Sequence, residues 1–217
     1  DVVLANPPYS ISAWNREMFA HDKYGRCFLG VPPQRFADYA FIQHILASMD
    51  PKSGRSAILL PHGVLFRSDE ADIREKLVET DVIECIIALG HYLFFNSAMI
   101  SCVMICNNNK KAERKGKILF VDAENEVTRK NAQSFLEDKH ISRMVNTYRA
   151  FKNEDGYSKV ATIEDIKSED YKLSVSLYVE GVEDTLEDID NAFDNWNQSS
   201  MGLSKELFLL TELFKNE

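Results

Sequence analysis

Cysteine is scarce in this chain, and the four present, Cys27, Cys85, Cys102 and Cys106, show neither a Cys-x-x-Cys pair nor a His-Cys grouping with metal-ligand spacing. That excludes a cysteine-built metal centre, and buried, reduced thiols are the expectation. No apolar run is long enough to span a bilayer and no secretory signal opens the chain. It therefore reads as soluble and intracellular, with no membrane partner. An initial Met is missing too: the chain starts in the middle of an apparent strand, as a fragment of a longer protein would. Excess basic charge is also lacking, since the net charge is −9. The acid is unevenly spread, however. Residues 161–217 hold fourteen Asp and Glu against four Lys and Arg, whereas residues 1–160 are near neutral at +1. Local basic patches decide phosphate contacts, so this balance neither supports nor excludes DNA. The densest patch, Lys110-Lys111-Ala112-Glu113-Arg114-Lys115-Gly116-Lys117, reads as a solvated hairpin loop.

What is present begins with Asn6-Pro7-Pro8-Tyr9, directly after the apolar run Val2-Val3-Leu4-Ala5. The exocyclic amine of adenine is a poor nucleophile because its lone pair is delocalised into the ring. Two acceptors aimed at its two N–H bonds would return that density to nitrogen. The Asn6 side-chain oxygen can be one and the Pro7 carbonyl the other, since Pro8 restricts Pro7 to extended geometry. Tyr9 offers an aromatic face to a base turned out of the duplex, worth roughly 1–3 kcal/mol against an extrusion cost of a few kcal/mol. The tetrapeptide resembles the catalytic motif of amino-methyltransferases that use S-adenosylmethionine, which methylate adenine in DNA or glutamine in protein. Alone it does not choose between those substrates.

At 217 residues and 45% apolar, the chain can form one domain with a real core, with or without a helical appendage. Strands alternate with helices, the pattern of an α/β sheet. Residues 10–37 are irregular, broken by Gly25, Gly30, Pro32 and Pro33. A helical stripe covers residues 39–49, with His44 off the stripe and facing solvent. Strands follow at 56–60, 82–89, 100–106 and 118–121, and a helix starts near Ser68 and runs to about Thr80. The connection between the strands at 82–89 and 100–106 is too short for a helical crossover, which predicts an antiparallel pairing. Open α/β sheets bind ligands at the carboxyl ends of their strands, where residues 6–9, 61–63 and 91–97 all fall.

Several further segments carry a more specific resemblance, in order along residues 1 to about 180. They include Phe41-Ile42-Gln43-His44, Leu60-Pro61-His62-Gly63-Val64-Leu65-Phe66-Arg67, Leu93-Phe94-Phe95, and Ile118-Leu119-Phe120-Val121-Asp122-Ala123. Asn146-Thr147-Tyr148-Arg149-Ala150-Phe151 and Asp170-Tyr171-Lys172-Leu173-Ser174 complete the set. Together they resemble the M subunit of type I restriction-modification systems. The resemblance implies an adenine-specific DNA methyltransferase of the prokaryotic cytoplasm, using S-adenosylmethionine as methyl donor. It further implies double-stranded DNA, a specificity subunit and, in many systems, a restriction subunit as partners. Asn6, Pro7, Pro8 and Tyr9 would be catalytic, and Tyr9 with Phe95 would sandwich the flipped base, Phe95 being preferred over Phe94. No metal site is implied.

One departure is large. The family's glycine-rich cofactor motif and its ribose-binding acid lie upstream of the tetrapeptide, and no Gly-x-Gly follows any strand here. The expected fold is accordingly a partial Rossmann-like methyltransferase sheet, its second half, containing an antiparallel strand. Its first strand would be an open edge. Residues 1–178 form this half-domain, and residues 179–217 an acidic helical tail. Leu203, Leu207, Leu210 and Phe214 make a short stripe in that tail, which packs on its own domain or docks on a partner. A methylase of another amine, in protein glutamine or an RNA base, and a non-catalytic assembly module stay open as alternatives.

Overall fold

The computed structural model describes residues 1–94, 99–131 and 133–179. The expectations for Phe95 and for the acidic tail with its stripe therefore lie outside the described residues. Six strands form the main sheet: β1 (Val2–Ala5), β2 (Arg55–Pro61), β3 (Ile83–Leu89), β4 (Ser101–Asn107), β5 (Lys117–Ala123) and β8 (Ser158–Thr162). Their order across it is β1-β2-β4-β3-β5-β8. The parallel pairings are β1 with β2 and β3 with β5; β4 opposes both of its neighbours and β8 opposes β5. Four strands thus point one way, and their carboxyl ends share one end of the sheet. The expected antiparallel pairing of β3 and β4 is present. Among the described strands β1 lies at the sheet edge, as expected, with Val2 58% and Leu4 78% exposed. An apolar edge of this kind is a template for pairing with another segment.

Sequence pattern explains the layers. Every residue of β3, Ile-Glu-Cys-Ile-Ile-Ala-Leu, is buried, because this central strand is flanked on both sides and covered on both faces. One face packs on helices α2 (Asp38–Ser48) and α3 (Ala71–Glu79), through Tyr39, Ile42, Ile45, Ile73 and Leu77. Fully burying each such aliphatic side chain contributes roughly 1.5–3 kcal/mol. The opposite face is covered by α4 (Asp138–Ala150), where Met144 joins Cys85, Ile87, Leu119 and Val121. A short helix α1 (Arg16–Ala20) interrupts the 10–37 loop, a hairpin joins β6 (Thr128–Lys130) to β7 (Gln133–Phe135), and α5 (Ile163–Ser168) follows β8. His44 is exposed as expected. Among the described residues no helix is long and apolar enough to cross a membrane, and no cluster of metal-ligating side chains occurs.

Two readings need adjustment. Cys85, Cys102 and Cys106 are buried, but Cys27 is only half-buried. Nor is the basic run a wholly solvated loop. Lys110 is buried with its ammonium 2.6 Å from Asp81, and Arg114 pairs with Glu84 at 3.4 Å while lying over the rings of Tyr148 and Phe151. These two cations are consumed by the fold.

Candidate active site

Strand β1 ends at Ala5 because the next residues include two prolines, neither of which can donate to the ladder. Residues 6–9 therefore leave the sheet at the carboxyl end of an edge strand. Asn6, Pro7, Pro8 and Tyr9 line a cavity of about 450 Å³ with Phe94 and Met99. That volume falls in the range of small-ligand sites. The Tyr9 and Phe94 rings meet edge to face, with centroids 6.2 Å apart and planes at 81°. Asn6 is exposed at the rim. The Tyr9 hydroxyl is buried beside Ser101 with no partner in hydrogen-bond geometry among the described residues, and burial pushes its phenol up to about 12. Tyr9 consequently offers a neutral ring rather than a base.

The Leu93-Phe94 segment of the β3–β4 connection thus reaches the tetrapeptide. Pro61, His62 and Gly63 do not line this cavity, although they occupy the same end of the sheet. His62 rests edge-on against Phe66, and burial lowers its pKa. Beside the cavity, and sharing Asn6 and Phe94 with it, a larger apolar groove of about 780 Å³ runs along β1, lined by Leu4, Leu59, Val103 and Ile141 among others. Among the described residues lining these two cavities there is no acidic side chain.

Behind the tetrapeptide is a polar cluster that no spacing in the sequence announces. Ser10, whose backbone is left-handed (φ +50), donates its amide N–H to Asp38 Oδ1 at 2.9 Å. Arg67 donates to Asp38 Oδ2 at 2.8 Å, to Ser10 Oγ at 2.9 Å and to Glu70 Oε2 at 3.2 Å. Asp38 and Glu70 are 1% and 0% exposed. The opening acids of α2 and of the turn before α3 are thus ion-pair partners rather than solvated helix-start residues. Burial outweighs the attraction of Arg67 and pushes Glu70 up to about 7. A carboxyl raised above its unfolded value keeps its proton longer when folded. Its contribution to stability is therefore full below about pH 4.5 and is lost as pH rises toward 7, by up to about 1.4 kcal/mol per pH unit. Denaturant unfolding between pH 5 and 7 should show a shallower fall for Glu70→Gln than for wild type; parallel curves would refute it.

A family model described as N-6 DNA Methylase matches residues 1–187. The chain belongs to that family. Among its curated relatives are two methylase subunits of Methanocaldococcus jannaschii. The chain is 37% identical over 196 residues to the type I restriction enzyme MjaVIII methylase subunit, covering 88% of this chain and 33% of the relative. It is 37% identical over 230 residues to the MjaVII methylase subunit, covering all of this chain and 37% of that one. The chain thus spans about a third of the length of those relatives. The crystal structure of the type I restriction-modification methyltransferase subunit from Streptococcus thermophilus superposes with a TM-score of 0.76 at 34% identity, over 83% of this chain and 38% of that one. The partial α/β sheet expected from sequence is therefore the family's fold.

Proposed function

We propose that this chain supplies the substrate-amine side of a site-specific DNA adenine N6-methyltransferase, as part of a type I modification subunit. The observation that carries the reading is the cavity at the carboxyl end of β1, where Asn6, Pro7, Pro8 and Tyr9 meet Phe94. A flipped adenine placed there would stack against Tyr9 and direct its amine to the Asn6 oxygen and the Pro7 carbonyl. No imidazole or carboxylate is needed at this stage, because the acceptors act by drawing lone-pair density onto nitrogen.

S-adenosylmethionine is the methyl donor in this reading, and its main site is taken to lie away from the two cavities beside Asn6. The cavities beside Asn6 are apolar and lack the acid that a ribose hydroxyl would require. The main cofactor contacts, like the DNA-reading and cleavage partners, are assigned to polypeptide outside residues 1–217.

The intact subunit with its specificity partner should then transfer labelled methyl to adenine in duplex DNA and not to RNA or protein. Residues 1–217 alone should transfer none and bind the cofactor more weakly than micromolar by calorimetry. Labelling of protein glutamine or RNA instead of DNA would overturn the substrate assignment. Micromolar binding by the isolated chain would overturn the placement of the cofactor site.

A further inference from the structure

We infer that Asp38 and Arg67 are positioning residues, which hold the catalytic tetrapeptide in register from behind through Ser10. The inference rests on the functional reading above and adds to it the element that fixes the loop. Residues 6–9 leave the sheet after an edge strand and carry two prolines, so ladder hydrogen bonds cannot anchor them. Paired β1 fixes where they begin and the Phe94 ring touches Tyr9, so the far end of the segment is set by the residues just beyond Tyr9. There Ser10 occupies a left-handed conformation that a side-chain-bearing residue adopts only when surroundings impose it.

Asp38 and Arg67 impose it from three directions. The Asp38 carboxylate takes the Ser10 amide with one oxygen and Arg67 with the other, and Arg67 returns to the Ser10 hydroxyl, closing a ring of three residues. The components are themselves fixed. Asp38 opens α2, whose preceding residue Ala37 donates its N–H to the Ile11 carbonyl at 3.1 Å. Arg67 is held by Glu70, its guanidinium lies over Phe36 at 4.0 Å, and a side chain at Gly63 would collide with it at 2.5–2.8 Å. The guanidinium thus fits only because residue 63 has no Cβ. Small displacements of groups that orient a reacting atom cost turnover steeply, about a hundredfold for 1 Å.

Asp38→Ala removes the amide acceptor and leaves Arg67 paired with Glu70 alone; Ser10→Gly keeps the ion pair and the left-handed backbone, and deletes only the hydroxyl. Both are made in the full-length subunit assembled with its specificity partner. Methyl transfer is followed under saturating cofactor and DNA, alongside KM for each and hydrogen exchange at the Ser10 amide. We expect turnover to fall at least about tenfold for Asp38→Ala and about threefold for Ser10→Gly, with both KM values within about twofold. Ser10 exchange should rise about tenfold or more in Asp38→Ala. Loss confined to thermal stability, with wild-type turnover of the folded protein, would overturn the inference. If Asp38→Ala fails to fold, Ser10→Gly decides, and wild-type turnover for it refutes the clamp. The two ideas fail differently: an active Asn6→Ala sinks the functional reading, whereas an inactive Asn6→Ala with a fully active Asp38→Ala sinks the clamp alone.

Discussion

Asn6→Ala in the intact methyltransferase should reduce methyl transfer to duplex DNA by at least about a hundredfold, the scale of losing one preorganised hydrogen-bonding group at a reacting centre. The side chain is exposed at the cavity rim, so no core is disturbed. Thermal stability and binding to the specificity partner should therefore match wild type. Asn6→Asp retains an acceptor oxygen and should lose less than Asn6→Ala, although its charge changes the field around the amine. In single-turnover assays the order wild type, Asp, Ala would follow acceptor strength and geometry. An Ala variant within about fivefold of wild type would mean that the Asn6 acceptor is dispensable, and the functional reading of the tetrapeptide would fall with it.

How far the sequence foretold these residues depends on the distance over which each signal acts. Strand β1 and the turn after it were legible because an apolar run meets two prolines, both local features. The strands β2 to β5 were legible within a residue or two at each end as short apolar runs, β3 being rich in β-branched residues. Helix α4 was not. Its stretch Asp-Lys-His-Ile-Ser-Arg-Met-Val-Asn-Thr-Tyr-Arg-Ala buries only His140, Met144 and Thr147, too sparse a stripe to stand out. The three-residue strands β6 and β7 are shorter than any periodicity can register. The cluster behind the candidate site was invisible for another reason: Ser10, Asp38 and Arg67 are separated by 28 and 29 positions, and only the fold makes them neighbours. Gly63 drew attention only as a residue at the carboxyl end of a strand, whereas its packing role depends on a guanidinium four residues later.

The largest stability loss is expected at Arg74, which is 1% exposed and is among the largest fully buried side chains described. It donates Nε–H to the Tyr171 carbonyl at 2.9 Å and an Nη1 hydrogen to the Arg67 carbonyl, also at 2.9 Å. The first bond spans 97 positions and fastens an unusual backbone, since Asp170 and Tyr171 are consecutive non-glycine residues with φ near +53. Such a pair persists only when over-determined. Here Tyr171 donates its hydroxyl to Glu79 at 2.6 Å, and the Leu173 N–H reaches the Leu65 carbonyl at 2.8 Å. Arg74→Met would keep volume while orphaning the Tyr171 carbonyl, leaving the Arg67 carbonyl only the Glu70 N–H, and removing a cation beside Glu70, for a loss of about 2–3 kcal/mol. Arg74→Lys should recover part of it, because one ammonium can reach fewer acceptors than the guanidinium fork. Chemical denaturation of the three proteins at pH 7 would rank them wild type, Lys, Met. A Met variant within about 1 kcal/mol of wild type would show that packing alone holds the segment 170–175, and that the buried guanidinium is tolerated rather than needed.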